Sequence, residues 1–198
     1  MRTIEQRNKS FFNKLAKYYD SSLFRSLNKK FPEKIIKLVN IKPNSKILDA
    51  GCGTGNLLYL LLKQKKNLNL IGIDISPEML KIAKRKLKGK TKFMLMPVEK
   101  INEKNKFDYI FSVDAFHHYS SQEKAMANFY MALKKNGKLI VVDFDFSFLF
   151  NKIFHWLEPG NSRMHSAIQM KEIFRKKGFR DIKQKKIGWF SWLTIGRK

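Results

Sequence analysis

Cysteine is nearly missing from this sequence: 198 residues contain one thiol, Cys52. A single cysteine excludes an internal disulfide, and with it the stapled scaffolds of small secreted domains; a reducing cytoplasm is expected. Long apolar runs are missing as well. None approaches the ~18 residues that suggest a membrane span. The opening Met1-Arg2-Thr3-Ile4-Glu5-Gln6-Arg7 lacks the apolar stretch of a signal peptide. There is no internal repeat and no Gly/Ser or Pro linker, so residues 1–198 are expected to form one domain. Acidic residues are scarce, 16 against 41 Lys and Arg, for a formal net charge of +25. Such a field attracts RNA, anionic lipid or acidic substrates. The bases are scattered over helix faces and loops, as in Lys81, Lys84, Arg85 and Lys88, which suits a solvated surface. Only Phe174–Phe179 and Lys186–Trp189 interleave bases with aromatics, as an RNA surface would.

What is present is concentrated in one stretch. Ile47-Leu48-Asp49-Ala50-Gly51-Cys52-Gly53-Thr54-Gly55-Asn56 reads as a buried strand, a glycine turn and a helix opened by Leu57-Leu58. Three glycines at alternate positions let the backbone approach a ligand closely. The helix that follows points free N–H groups at the turn. A second strand, Leu70-Ile71-Gly72-Ile73, ends in Asp74, whose carboxylate is placed to accept hydrogen bonds from ribose hydroxyls. Together they predict a nucleoside-containing cofactor. In a dinucleotide fingerprint the third glycine comes one residue later. Here an acid, Asp49, stands two residues before the first glycine. It suits a positively charged ligand and would repel a pyrophosphate.

Apolar spacing predicts helices over residues 4–19 and 32–39, the second with Pro32 in its first turn. Strands are expected at 46–50, 69–74, 91–96, 107–113 and 138–144, and helices at 56–65, 77–88, 121–134 and 166–177. Ser76-Pro77-Glu78 has the cap and first-turn proline of a helix start, and Asn136-Gly137 reads as a helix stop. Residues 179–187 and 190–195 read as a closing hairpin around Gly188-Trp189. Alternating strands and helices predict a parallel sheet covered on both faces. Asp49, Asp74, Val98 and Asp114 then all fall at one edge of that sheet, where ligands of such folds bind.

Asp49-Ala50-Gly51-Cys52-Gly53-Thr54-Gly55 with Gly72-Ile73-Asp74-Ile75-Ser76 resembles the first two motifs of class I S-adenosylmethionine-dependent methyltransferases. Tyr18-Tyr19-Asp20 resembles the Tyr-Asp pair of the ubiquinone/menaquinone-biosynthesis C-methyltransferases and their small-molecule relatives. The resemblance implies an α/β fold: a Rossmann-like, seven-stranded, mostly parallel sheet with its last strand antiparallel and helices on both faces. It covers residues 41–198, leaving 1–40 as a helical cover. S-Adenosylmethionine, which carries an ammonium and a sulfonium but no phosphate, is the implied cofactor.

The implied roles follow residue by residue. Gly51, Cys52, Gly53 and Gly55 form the close-approach turn, and Asp74 takes the ribose. Asp49 hydrogen-bonds turn amides, faces the cofactor's amino-acid portion, or is a structural cap. Ile75 and Met79 line the adenine, and the Val98 backbone N–H meets its ring, beside Glu99. Pro97 stands where the family has an Asp for the adenine amino group. Ser112 begins a segment, Ser112-Val113-Asp114-Ala115-Phe116-His117-His118-Tyr119, similar to the family's fourth motif. Tyr19 closes over the methionine moiety or packs the cover helix. Asp114, His117 and His165 are candidate general bases, and Arg163 and His165 candidate acceptor contacts. His117 and His118, being adjacent, do not face one point, and with no nearby carboxylate or Cys they make no metal site. The Phe-rich segment 144–157, with Phe146, Leu149, Phe150, Ile153, Phe154 and Leu157, is a lid over an apolar acceptor, a membrane contact, or a segment buried on the sheet edge.

The expected activity is methyl transfer to a small-molecule or lipid-like acceptor. The absence of an Asn/Asp-Pro-Pro-Tyr motif argues against exocyclic amines of nucleobases, and the absence of a catalytic Cys argues against attack through a Cys adduct. The charge of +25 leaves an RNA methyltransferase as the alternative. Pro97 leaves a non-catalytic cofactor-binding adaptor.

Overall fold

A computed structural model describes residues 3–20, 30–64, 66–145 and 164–198. Two helices come first, α1 (Ile4–Tyr19) and α2 (Lys30–Leu38). The core then runs β1 (Lys46–Ala50), α3 (Asn56–Lys63), β2 (Asn69–Asp74), α4 (Pro77–Leu87), β3 (Lys92–Leu95) and β4 (Phe107–Val113). It ends with α5 (Gln122–Ala132), β5 (Leu133–Phe144), α6 (Ala167–Lys177), β6 (Arg180–Lys186) and β7 (Ser191–Arg197). Short 3-10 turns cover Val98–Lys100 and Phe116–His118.

The seven strands form one sheet in the order β3-β2-β1-β4-β5-β7-β6. β1 to β5 pair in parallel, and β7 runs antiparallel to both β5 and β6. The expected Rossmann-like fold is therefore the observed one. Strand residues point alternately to the two faces, which divides the core in two. Leu48, Ile71, Ile73, Ile110, Leu139 and Val141 face a cluster that contains Phe116, Phe129 and Phe174. Ile47, Leu70, Tyr109, Phe111 and Ile140 face another that contains Ile35, Leu58 and Leu61.

Capping residues start the helices where the sequence places them. Thr3 with Gln6, and Ser166 with Gln169, form capping boxes, and Ser76 with Pro77 opens α4. Gly178, at φ 98°, closes α6.

One expectation is corrected. α5 stops at Ala132, and β5 begins at Leu133, opposite Phe107. The pairing then jumps, so that Tyr109 meets Lys138. Asn136-Gly137 is thus an irregularity inside β5, with Asn136 at φ 64°. A Cβ on Gly137 would come within 3.0 Å of the Phe107 carbonyl oxygen. Close approach to β4, rather than a helix end, explains the glycine.

Candidate functional site

A cleft opens beyond the carboxyl ends of β1, β2 and β4, and α1 borders it. Its floor is the turn after β1, its walls include Asp74, Ile75, Met79, Met96 to Glu99 and Val113 to Ala115, and α1 adds Glu5, Asn8, Phe12 and Tyr19. Of the expected cofactor residues, Tyr19, Asp49, Gly51, Cys52, Gly53, Asp74, Ile75, Met79, Val98 and Glu99 line this cleft, as does Asp114.

The turn is held by β2. The Gly51 and Cys52 amides both donate to the Ile73 carbonyl at 2.9 Å. The Gly53 amide donates to Asp74 Oδ2 at 2.9 Å, and the Ser76 amide to Asp74 Oδ1 at 2.8 Å. Asp74 thus ties the turn to the start of α4. Burial pushes its carboxyl above the usual range, against the pull of those amides.

The glycines divide the work differently from the expectation that all three approach a ligand. A Cβ on Gly51 would lie 2.6 Å from the Ala115 Cβ. One on Gly55, which does not line the cleft, would meet Leu87 at 2.8 Å. These two serve packing inside the protein. Gly53, at φ 50°, has nothing within 4 Å of that direction, so it is the glycine that leaves open room.

Asp49 does not hydrogen-bond the turn amides, which are used by Ile73 and Asp74. Among the described residues no donor reaches its carboxylate. It is buried, and desolvation together with the neighbouring Asp74 charge pushes it up to about 8. Burial and the same two acids push the Cys52 thiol up, which leaves no thiolate nucleophile.

The 3-10 turn after Pro97 is fixed from α5. Asn128 Nδ2 donates to the Val98 carbonyl at 3.1 Å. Glu99 Oε1 accepts from Ser120 Oγ at 2.8 Å and from the Ser121 amide at 3.0 Å.

Besides Gly55, three expected site residues lie elsewhere. Ser112 is buried away from the cleft, its Oγ 2.8 Å from Tyr119 Oη, and Tyr119 Oη donates to the Ala50 carbonyl at 2.9 Å. Ser112 therefore positions Tyr119, which does line the cleft. His117 is buried beneath it, with Nδ1 2.5 Å from Asp143 Oδ1 and its amide on Asp143 Oδ2 at 3.0 Å. The expectation that no carboxylate stands near the histidine pair fails, since ligand atoms of Asp114, His117 and Asp143 all lie within 4.8 Å of one another. His165 hydrogen-bonds Gln122 at 2.7 Å and faces a small separate cavity beside Asp143, Asp145 and Trp192. Arg163 and the expected lid residues Phe146, Leu149, Phe150, Ile153, Phe154 and Leu157 lie outside the described residues.

Several cleft residues were missed. His118, not His117, faces the cleft, edge-on to Phe12 with ring centroids 4.9 Å apart. Asn8 Nδ2 donates to the His118 carbonyl at 2.6 Å. A signal existed, because Asn8 falls midway between Ile4 and Phe12 on the apolar stripe of α1. Asp20 accepts from Thr54 Oγ1 at 2.9 Å and Asn56 Nδ2 at 3.3 Å and pairs with Lys86 at 2.8 Å. Burial opposes its charge, yet Lys86, Thr54 and Asn56 together hold its carboxyl below the usual value. The end of α1 is thereby clamped to the glycine turn.

Comparison with known proteins gives a consistent picture. A family model described as a methyltransferase domain matches residues 41–190. Malonyl-[acyl-carrier protein] O-methyltransferase 1 of Ilyobacter polytropus is 30% identical over 168 residues, 83% of this chain and 60% of that protein. Phosphoethanolamine N-methyltransferase 1 of Arabidopsis thaliana is 31% identical over 116 residues, 57% of this chain and 23% of that protein. The chain thus spans less than two thirds of the length of these curated relatives. Among solved structures, the methyltransferase held by the Trm112 activator of Haloferax volcanii superposes with a TM-score of 0.84 at 16% identity, covering 94% of this chain and 96% of that one.

Proposed function

Because this chain belongs to the methyltransferase-domain family, we propose that it transfers the methyl group of S-adenosylmethionine to a small-molecule or lipid-like acceptor. The observation that carries this reading is the room left at Gly53, whose amide donates to the partly buried Asp74, in a cleft that the buried Asp49 also lines. A ligand with positive charge and ribose hydroxyls fits that donor set, whereas a pyrophosphate does not. Asp74 would take the ribose, Asp49 the amino-acid end, and Ile75, Met79 and Val98 the adenine. When bound, the cofactor supplies a methyl group on a sulfonium leaving group.

The protein's own contribution is alignment and exclusion of water. Tyr119, fixed by Ser112 and the Ala50 carbonyl, forms a rigid wall against Gly51. The Asp20 clamp holds the end of α1 at the turn, so that Tyr19 and Phe12 close the cleft from above. Well-oriented reactants gain up to ~7–11 kcal/mol from such confinement. Asp114, His118 and Tyr119 are the titratable side chains of the fourth-motif segment that border the acceptor space. Asp114 remains a candidate base.

The relatives support a small-molecule acceptor, since they are named for malonyl-carrier and phosphoethanolamine substrates. A lipid-like acceptor is supported by the β6–β7 tip. There Trp189 is 89% exposed and Phe190 is half-exposed, beside Lys185 and Lys186, at the same sheet edge as the cleft.

Calorimetry with S-adenosylmethionine tests the reading. Asp74→Ala removes the acceptor of two backbone amides as well as the ribose partner. Affinity is expected to fall at least 10- to 100-fold, from about 1.5–3 kcal/mol per charge-assisted bond. Wild-type affinity in this variant would overturn the assignment. Label from the methyl donor entering no small molecule, lipid or RNA of a cell extract would favour a non-catalytic adaptor.

A further inference from the structure

The chain carries 41 basic and 16 acidic residues, so chance would line any cleft mainly with bases. The cleft is the reverse. Among the described residues that line it are five acids, Glu5, Asp49, Asp74, Glu99 and Asp114, and neither Lys nor Arg. On the proposed function, Asp49 and Asp74 serve the methyl donor. Glu99 is bonded to Ser120 and the Ser121 amide, and Glu5 and Asp114 exceed that need.

A second observation lies on α1. Asn8 lines the cleft and is 1% exposed, and among the described residues its Oδ1 has no hydrogen-bond partner. Its Nδ2 is locked on the His118 carbonyl at 2.6 Å. That contact fixes the amide orientation, because a flip would set two carbonyl oxygens against each other. The buried end is therefore a hydrogen-bond acceptor, and leaving it unmatched is unfavourable. A ligand with an N–H donor satisfies it.

We propose that the acceptor presents an amine nitrogen to this cleft, and that the protein is an N-methyltransferase that refuses carboxylate and phosphate nucleophiles. The inference rests on the methyl-donor reading above and goes beyond it in naming the acceptor atom. An amine N–H meets Asn8 Oδ1, and the acids draw the cationic form in from solvent. A carboxylate or phosphate would meet these acids and, among the described residues that line the cleft, neither Lys nor Arg. In the transfer, the amine gives up a proton to water and offers its lone pair. The N–C bond forms as the C–S bond breaks with its electrons kept by sulfur, and the surplus N–H proton leaves through Asp114 or Glu99 to solvent.

The test uses the full chain loaded with S-adenosylhomocysteine and three probes that share one tail: hexylamine, hexanoate and hexyl phosphate. Calorimetry should show hexylamine binding at least tenfold more tightly than either anion. Asn8→Ala and Asp114→Asn should each weaken hexylamine about tenfold while leaving S-adenosylhomocysteine affinity intact. Asparagine tolerates the left-handed backbone of Asp114, at φ 52°, so the second variant keeps the test alive if the first does not fold. An anion that binds as tightly as hexylamine, or hexylamine affinity unchanged in the folded variants, would overturn the proposal. Failure of S-adenosylhomocysteine itself to bind would instead overturn the donor reading, and the same probes on the unloaded chain would still decide between amine and anion.

Discussion

A buried carboxyl with a neighbouring acid and no donor is an uncomfortable group, and among the described residues Asp49 is such a group. Its folded value of about 8 lies far above the ordinary 3.8. The folded chain therefore binds this proton more tightly than the unfolded chain does. The group favours folding at low pH, and that contribution is lost as pH rises from about 4 through 8. A cationic ligand needs the carboxylate, so binding S-adenosylmethionine should expel the proton. Affinity is expected to tighten between pH 6 and 8.5, with proton release visible as a buffer-dependent binding enthalpy. Asp49→Asn should flatten both. A wild-type affinity that does not change with pH would contradict this role. Pro97 makes a second expectation at the same scale. Where the resemblance implies a carboxylate for the adenine amino group, proline has none, and Pro97→Asp should tighten binding by up to about 1.5–3 kcal/mol. Individual residues were also where the sequence was least legible. His117 and His118 are equivalent on paper. A 3-10 turn rotates ~120° per residue, which sends one ring into the core and the other to the cleft.

Elements were far more legible than side chains. β1, β2 and β4 lie where alternation and apolar runs predict them, and the caps at Ser76 and Ser166 mark true helix starts. These signals are local, so a sequence can carry them. The α5–β5 junction was misread because Asn136-Gly137 has the same composition whether it ends a helix or bends a strand. Only the close approach of Phe107 distinguishes the two. The glycine turn yields a prediction of the same kind, in which equal substitutions have unequal effects. Gly51→Ala adds about 1–2 kcal/mol of left-handed strain and a clash with Ala115 worth about 1–3 kcal/mol. It should lower the melting temperature by roughly 10 °C. Gly53→Ala carries the strain alone and should cost only a few degrees, yet its methyl enters the open space at the cleft and should abolish cofactor binding. Thermal melts paired with calorimetry separate the two, and a Gly53→Ala protein with normal affinity would remove the turn from the site.

At the scale of the whole molecule, one sign of charge dominates. With 16 acids against 41 bases, even complete pairing would leave most of the cations without an acidic partner. The ion pairs Lys134–Asp108, Arg175–Glu172 and Arg197–Asp181 are partly exposed. Pairs of that kind contribute about 0–1 kcal/mol each. Salt weakens them, but it also screens the far more numerous repulsions among lysines on α4, α6 and β6, within a Debye length of about 10 Å at 0.1 M. The repulsive sum should win, because a net charge this far from zero destabilises the compact state. The melting temperature is therefore expected to rise as sodium chloride increases from 20 to 300 mM, measured at pH 7 without cofactor. Asp20–Lys86, part of a network that includes Thr54 and Asn56 and more sheltered than the surface pairs, should hold over the same range, so cofactor affinity should change less than stability does. A melting temperature that falls with salt would mean that the few ion pairs outweigh the general repulsion, and that the excess of lysine is organised rather than spread over the surface.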